Sequence, residues 1–285
     1  MNELLNTTWK RAHQWQWRTR RRLYQQRHPQ TTTPVFVVGA QRSGTSMMLR
    51  VFDLSWHAQV AHTGDKRIYQ NGLLRSHDIL HSFLYQSKAR LTVFKPMNQL
   101  QWSQDYLKLY PELKIIWMVR SMPDVVNSCV RKWNSMREVL LNILKDSGTA
   151  GWQAENLFPS QLDLLKQTVH EGMTLEEAYA VFWCVRNLFY FELGLNEHPQ
   201  VKLVPYEEIV RRPIETTQAI FEFADCPFDP QVTREIFTSS VGKNPQPQLS
   251  SEIQQACDLL TERLQTQVNQ QKRCRKFQPR STVLA

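Results

Sequence analysis

Apolar residues along this chain fall into short unbroken runs, separated by longer stretches of mixed pattern. Pro34–Val38, Leu91–Lys95, Leu113–Arg120 and Val201–Val204 are rich in β-branched and aromatic residues, without apolar–polar alternation. Runs of this kind predict strands buried on both faces of a parallel sheet. Trp56–His62 reads as a shorter extended segment, followed by a polar turn at residues 63–67. Helical spacing is predicted over residues 3–27, from Met47, over 68–88 and 100–110, from Pro123, and over 213–224, 229–238 and 251–271. Thr174-Leu175-Glu176-Glu177 has the form of a capping box and opens a long helix to about residue 195. Residues 138–172 carry mixed signals of helices and loops. Strands alternating with helices predict an α/β fold with a central parallel sheet, whose ligands bind at the carboxyl ends of the strands.

Composition narrows this picture. A chain of 285 residues with 41% hydrophobic content can bury a substantial core. No apolar run approaches the roughly 18 residues of a membrane span, and no apolar stretch of signal-peptide type follows the basic N-terminus. Five cysteines without a C-x-x-C pair fit a reducing, cytoplasmic setting rather than a disulfide scaffold. Residues 1–30 hold seven Lys/Arg against Glu3 alone, and residues 272–285 hold five against none. The net charge of +9 therefore sits at the two ends, and the body between them is close to neutral. That distribution suits solvated ends rather than a nucleic-acid surface. The first helix carries Trp9, Trp17 and Tyr24 beside Arg18, Arg20, Arg21 and Arg22. Such a helix either packs its aromatic side on the domain or lies peripherally on an anionic membrane.

The candidate chemistry begins where the first strand breaks, at Gly39-Ala40-Gln41-Arg42-Ser43-Gly44-Thr45-Ser46. A strand, a glycine-bounded loop and a helix start aim backbone N–H groups and the helix dipole at one anion, and Ser43, Thr45 and Ser46 add hydroxyls. The loop nearly matches the nucleotide triphosphatase pattern, but Thr45 stands where that pattern requires lysine, and the cation is Arg42. Two other strands end in Lys95 and Arg120, where a triphosphatase would present an aspartate for Mg²⁺. A site lined by cations suits a polyanion. Ser128 follows Arg120 by eight residues and Lys132 follows Ser128 by four, so Ser128 and Lys132 share a helical face near Arg120. His77 and His81 have the spacing of a helical zinc pair but lack a glutamate and a third ligand, so no metal is expected.

The loop at Gly39–Ser46, taken with Arg120 and Ser128, resembles the sulfotransferases that use 3′-phosphoadenosine 5′-phosphosulfate (PAPS), over residues roughly 34–250. The resemblance implies a three-layer P-loop-type domain at 31–271, between a basic N-terminal extension (1–30) and a basic C-terminal tail (272–285). It implies that Arg42, Ser43, Gly44, Thr45 and Ser46 hold the donor's 5′-phosphosulfate and that Arg120 and Ser128, with Lys132, hold its 3′-phosphate. Tyr206, in Val204–Val210, would lie near the adenine, and Lys243, in Ser239–Pro245, would be a further donor ligand. Locally the chain is similar to tyrosylprotein sulfotransferases and bacterial single-domain relatives. Asp65-Lys66-Arg67 stands where those carry Glu-x-Arg, and Lys95-Pro96 where they carry Lys-Asp-Pro. Asp65 is then the expected base, Arg67 either its orienting partner or a bridge to the sulfuryl group, and Arg42 and Lys95 the cations on the transferred group. The implied acceptor bears a hydroxyl, with a glycan, lipid or small metabolite favoured. Two other classes are weighed beside this one: an ATP-dependent P-loop kinase or nucleotidase, and a non-catalytic adaptor acting through its basic ends.

Overall fold

The computed structural model describes residues 16–146, 151–237, 242 and 244–277, the side chains of 274–277 excepted. Five strands form one parallel sheet: β1 (Thr33–Gly39), β2 (Ala58–Val60), β5 (Leu91–Phe94), β6 (Lys114–Val119) and β7 (Val201–Pro205), in the spatial order β2-β5-β1-β6-β7. β1 lies at the centre, with Val35 opposite Val93 of β5 and Lys114 of β6. The chain leaves β5 on one side of β1 and enters β6 on the other. That reversal opens a crevice at the carboxyl end of β1, the usual ligand position in such sheets.

Alternation along each strand divides the core into two layers. Phe36, Val38, Ile115 and Trp117 point to one face, where they pack with α5 (Met122–Val130) and α8 (Leu175–Glu192). Val35, Val37, Ile116 and Met118 point to the other, against α2 (Thr45–Asp53) and α10 (Pro213–Phe223). Every one of these strand residues is essentially inaccessible, which is why the runs carry no polar alternation. The result is three layers, helices over both faces of the sheet. The capping box at the start of α8 forms as expected, with Thr174 accepting from the Glu177 N–H and Glu177 accepting from the Thr174 N–H.

Helix α1 (residues 16–27) lays its aromatic side on the domain. Trp17 meets Trp56 edge-on at 4.4 Å and donates from its indole to the Asp53 carbonyl, while Arg21 pairs with the Asp53 carboxylate at 2.8 Å. Burial alone would raise the Asp53 carboxyl, but hydrogen bonds from His62 and Arg21, with their charges, hold it well below the ordinary range. The part of the expected N-terminal helix before residue 16 lies outside the described residues.

Three expectations are corrected. Residues 68–88 are not one helix: β3 (Tyr69–Gln70) and β4 (Leu73–Leu74) make an antiparallel hairpin, and only α3 (His77–Gln86) is helical. Asn71 and Gly72 have φ of +53° and +77°, a turn that matches hairpin twist and outweighs the local helical spacing. Of the helix expected at 229–238, the described residues 229–237 form only a 3₁₀ turn, Pro230–Thr233, because Asp229 accepts from the Gln231 N–H and closes a tight turn. The segment after β7 forms a short helix, α9 (Tyr206–Arg211), broken where Arg212 precedes Pro213. The C-terminal helix α11 runs from Ser251 to Phe277, past residue 271. No helix among the described residues is long and apolar enough to cross a membrane.

Candidate active site

The loop after β1 is shaped by two close approaches. Gly39 has φ +138°, and a Cβ there would lie 2.1 Å from the Met118 carbonyl oxygen of β6. Gly44 has φ +94°, and a Cβ there would lie 2.3 Å from Cδ2 of Tyr206. Both positions require a residue without a side chain. Between them Arg42 adopts a left-handed φ of +70°, costly for a side-chain-bearing residue and typical of functional loops. α2 starts directly at Thr45, with Gly44 at its N-cap and no side chain capping it. Its first N–H groups thus face the loop, where an anion can accept from them. Ser43 is fully buried in the same loop, and its hydroxyl has no hydrogen-bond partner. The side-chain amide of Gln41 is in the same position. Unmet polar groups of this kind each cost about 1–3 kcal/mol, and an oxyanion seated here would relieve the donors among them, the Ser43 hydroxyl and the Gln41 Nε2.

Cations from three elements reach this loop. Arg42 donates from Nε to the Ser128 hydroxyl of α5 at 2.8 Å, joining the loop to that helix. Lys95, just past β5, donates from Nζ to the Ser46 hydroxyl at 3.0 Å. Burial, and then the charges of Lys132 and Arg42, hold the Lys95 ammonium below its ordinary value. Burial is the larger cause of that depression and the two neighbouring positive charges add to it, so an anion bound here would favour the charged ammonium. Arg120, at the end of β6, stacks its guanidinium 4.5 Å from the centre of the Tyr206 ring. Tyr206 therefore lies against both Gly44 and Arg120.

The sequence grouped Arg120, Ser128 and Lys132 around one phosphate; the observed arrangement is less direct. Ser128 is engaged by Arg42, while Arg120 pairs with Asp124 at 3.5 Å. Lys132 lies in the turn beyond α5 rather than on the helix. Lys243 lies outside the described residues.

Asp65 sits in the turn after β2. Arg67 grips its carboxylate with two hydrogen bonds, at 3.0 and 2.6 Å, and the Arg67 backbone N–H adds a third at 3.1 Å. The Arg67 side chain holds the carboxyl below its ordinary value, so it is ionised throughout the neutral range. Tyr69 connects this turn to β5, its hydroxyl accepting from the Lys95 N–H at 2.8 Å. Asp65 and Lys95 thus flank one buried phenol.

Sequence reasoning missed several supports. Tyr69 was assigned to a helix. Asp124 lies four residues after Arg120, a spacing that signals a pair, and Glu207 accepts from the Ser121 N–H at the start of α5. No group of three or more His, Cys, Asp or Glu that could hold a metal occurs among the described residues. His77 instead shares a hydrogen bond with the Tyr110 hydroxyl.

A search among curated protein sequences returns no match. Solved structures similar to this chain include a sulfotransferase domain from the curacin biosynthetic pathway, at 16% identity and TM-score 0.48, covering 82% of this chain and 98% of that one. They also include a sulfotransferase from Alicyclobacillus acidocaldarius, at 16% identity and TM-score 0.44, covering 82% of this chain and 93% of that one. A third is mouse sulfotransferase SULT7A1 complexed with PAP, at 13% identity and TM-score 0.42, covering 78% of this chain and 71% of that one. At these values the likenesses carry little weight alone. The sulfotransferase domain family model, by contrast, matches residues 32–276. That match spans the whole five-stranded sheet and the cationic crevice at its carboxyl edge, and so this chain belongs to the sulfotransferase family and is a sulfotransferase.

Proposed function

We propose that the protein transfers a sulfuryl group from PAPS to the hydroxyl of an acceptor by in-line displacement. The convergence of Arg42, Lys95 and Lys132 carries this reading. Burial first, and then the charges of Lys132 and Arg42, lower the Lys95 ammonium, so the site carries a surplus of positive charge. The buried, unpartnered Ser43 hydroxyl and the open N-terminus of α2 are the groups that would accept the donor's 5′-phosphosulfate. Arg120, with Ser128 at the near face of α5, would select the 3′-phosphate, and Tyr206 would lie beside the adenosine. Lys132 supplies charge to the same region.

Sulfuryl transfer, like phosphoryl transfer, proceeds through a loose transition state in which positioning and charge stabilisation dominate. Arg42 and Lys95 neutralise the charge that builds on the bridging and sulfuryl oxygens. Loss of one such group typically lowers turnover about 10²–10³-fold. Asp65 accepts the proton of the attacking hydroxyl. Arg67 keeps that carboxylate ionised and fixes the direction in which it faces. A carboxylate with a lowered pKa is a weak base, which suits a step in which the hydroxyl loses its proton late. The acceptor belongs to the hydroxyl-bearing class, with a glycan, lipid or small metabolite favoured.

The test is nucleotide selection followed by transfer. Wild-type protein should bind 3′-phosphoadenosine 5′-phosphate in preference to ATP, and Arg120→Ala should lose that preference. With labelled PAPS and extracts of candidate acceptors, Asp65→Asn should keep nucleotide binding and lose most transfer. Equal binding of ATP by the wild type, or Mg²⁺-dependent ATP turnover, would favour a kinase or nucleotidase instead.

A further inference from the structure

Asp124 is the one buried carboxylate among the described residues, and its partners join two regions that the chain holds far apart. It is 2% exposed. One carboxylate oxygen, Oδ2, faces the Arg120 guanidinium at 3.5 Å and accepts from the Gly242 N–H at 3.3 Å. The other, Oδ1, accepts from the Asn244 side-chain amide at 2.7 Å. Burial alone would raise this carboxyl, yet the Asn244 and Gly242 hydrogen bonds and the Arg120 charge bring it below the ordinary range, so it is an anion at neutral pH.

The same helix grips the same segment twice more. Asn127 donates to the Pro245 carbonyl at 3.0 Å, and Arg131 donates to the Asn244 side-chain oxygen at 3.1 Å. Positions 124, 127 and 131 recur at i, i+3 and i+7, on one helical face, and Ser128 belongs to that face as well. One stripe of α5 therefore meets Arg42 through Ser128, Arg120 through Asp124, and the segment around residues 242–245.

A buried carboxylate beside an arginine meant for phosphate is at first sight a disadvantage, because it offsets part of the cation's charge. Its benefit is geometric. The Arg120 carbonyl accepts from the Trp183 indole at 3.1 Å, the Tyr206 ring covers one face of the guanidinium, and Asp124 holds one of its edges. A guanidinium held at these points loses little rotamer freedom when it binds. Resting on the donor reading above, we propose that Asp124 is a positioning residue for 3′-phosphate selection, acting through Arg120 and holding Gly242 and Asn244 at the same point.

The experiment compares affinities of the full chain for 3′-phosphoadenosine 5′-phosphate and adenosine 5′-monophosphate by calorimetry. Asp124→Asn keeps the shape but removes the charge facing Arg120. It should lower the preference for the 3′-phosphorylated nucleotide on the order of tenfold while leaving monophosphate affinity within about twofold. Arg120→Ala should remove more of the preference, and adding Asp124→Asn to it should cost nothing further. Asn244→Ala breaks only the Oδ1 side and should reduce the preference several-fold. An unchanged or increased preference in Asp124→Asn, or equal losses for both nucleotides, overturns the positioning role. If Asp124→Asn does not fold, an unchanged preference in Asn244→Ala overturns it instead. A wild type indifferent to the 3′-phosphate overturns the donor reading itself, an outcome distinct from a wild-type preference that survives Asp124→Asn.

Discussion

The contact between Gly44 and Tyr206 yields the sharpest prediction, because sequence motif and tertiary structure meet there. Gly44→Ala places a methyl group in a backbone with φ +94°, 2.3 Å from Cδ2 of the Tyr206 ring, which also packs against Arg120. The positive φ costs a side-chain-bearing residue about 1–2 kcal/mol. Carbon atoms pack at about 3.5–4.0 Å, so the ring must retreat by more than an ångström, and overpacking of this kind costs about 1–3 kcal/mol. The total is about 2–5 kcal/mol. For a chain of this length that corresponds to a fall in Tm of roughly 3–8 °C. The measurement is thermal unfolding of Gly44→Ala, Tyr206→Ala and the double variant. Removing the ring removes the overpacking but not the φ cost, so the double variant should be more stable than the two losses added together predict, by about 1–3 kcal/mol. Losses that add to within about 0.5 kcal/mol would show that ring and loop do not touch, and would refute the reasoning.

Further predictions concern charge. Lys95 must be protonated to stabilise developing negative charge, and its ammonium is lowered by burial and by Lys132 and Arg42. The alkaline limb of kcat/KM for the donor should therefore fall below 10.5, and it should move upward in the kcat profile, where bound anion offsets the two neighbouring cations. The Asp53 carboxyl is depressed in the folded state, so its contribution to stability is present above about pH 3.8 and lost as pH falls below that value. Arg21→Ala should lower Tm at pH 7 and flatten this acid dependence, which unfolding scans from pH 3 to 7 would reveal. Gly39→Ala forces a methyl onto the Met118 carbonyl, a backbone atom with no freedom to retreat, so it should yield little folded protein in a soluble-expression assay beside Gly44→Ala.

Much of the architecture was legible from the chain because its strands are buried on both faces and read as plain apolar runs. Leu113–Arg120 is the clearest case: it became β6, whose interior residues are all inaccessible. The helices that failed did so where local turn chemistry competed with spacing. Asn71-Gly72 made a hairpin out of a stretch with helical composition, and Asp229-Pro230 closed a 3₁₀ turn. At the site, the loop and the cations at strand ends could be read because each belongs to a contiguous motif. The partners of those cations could not, since Lys95 with Ser46, Arg42 with Ser128 and Arg120 with Tyr206 are joined only by folding.

By itself the sequence determined the strands of the central sheet in chain order and a phosphate-type loop without a triphosphatase lysine, because burial, glycine and residue charge are local properties. Only the tertiary structure decided that Tyr206 would lie against both Gly44 and Arg120, and that Asp124 would tie Arg120 to Asn244. Those contacts depend on strand order and on helices crossing the sheet, which no spacing within one segment encodes.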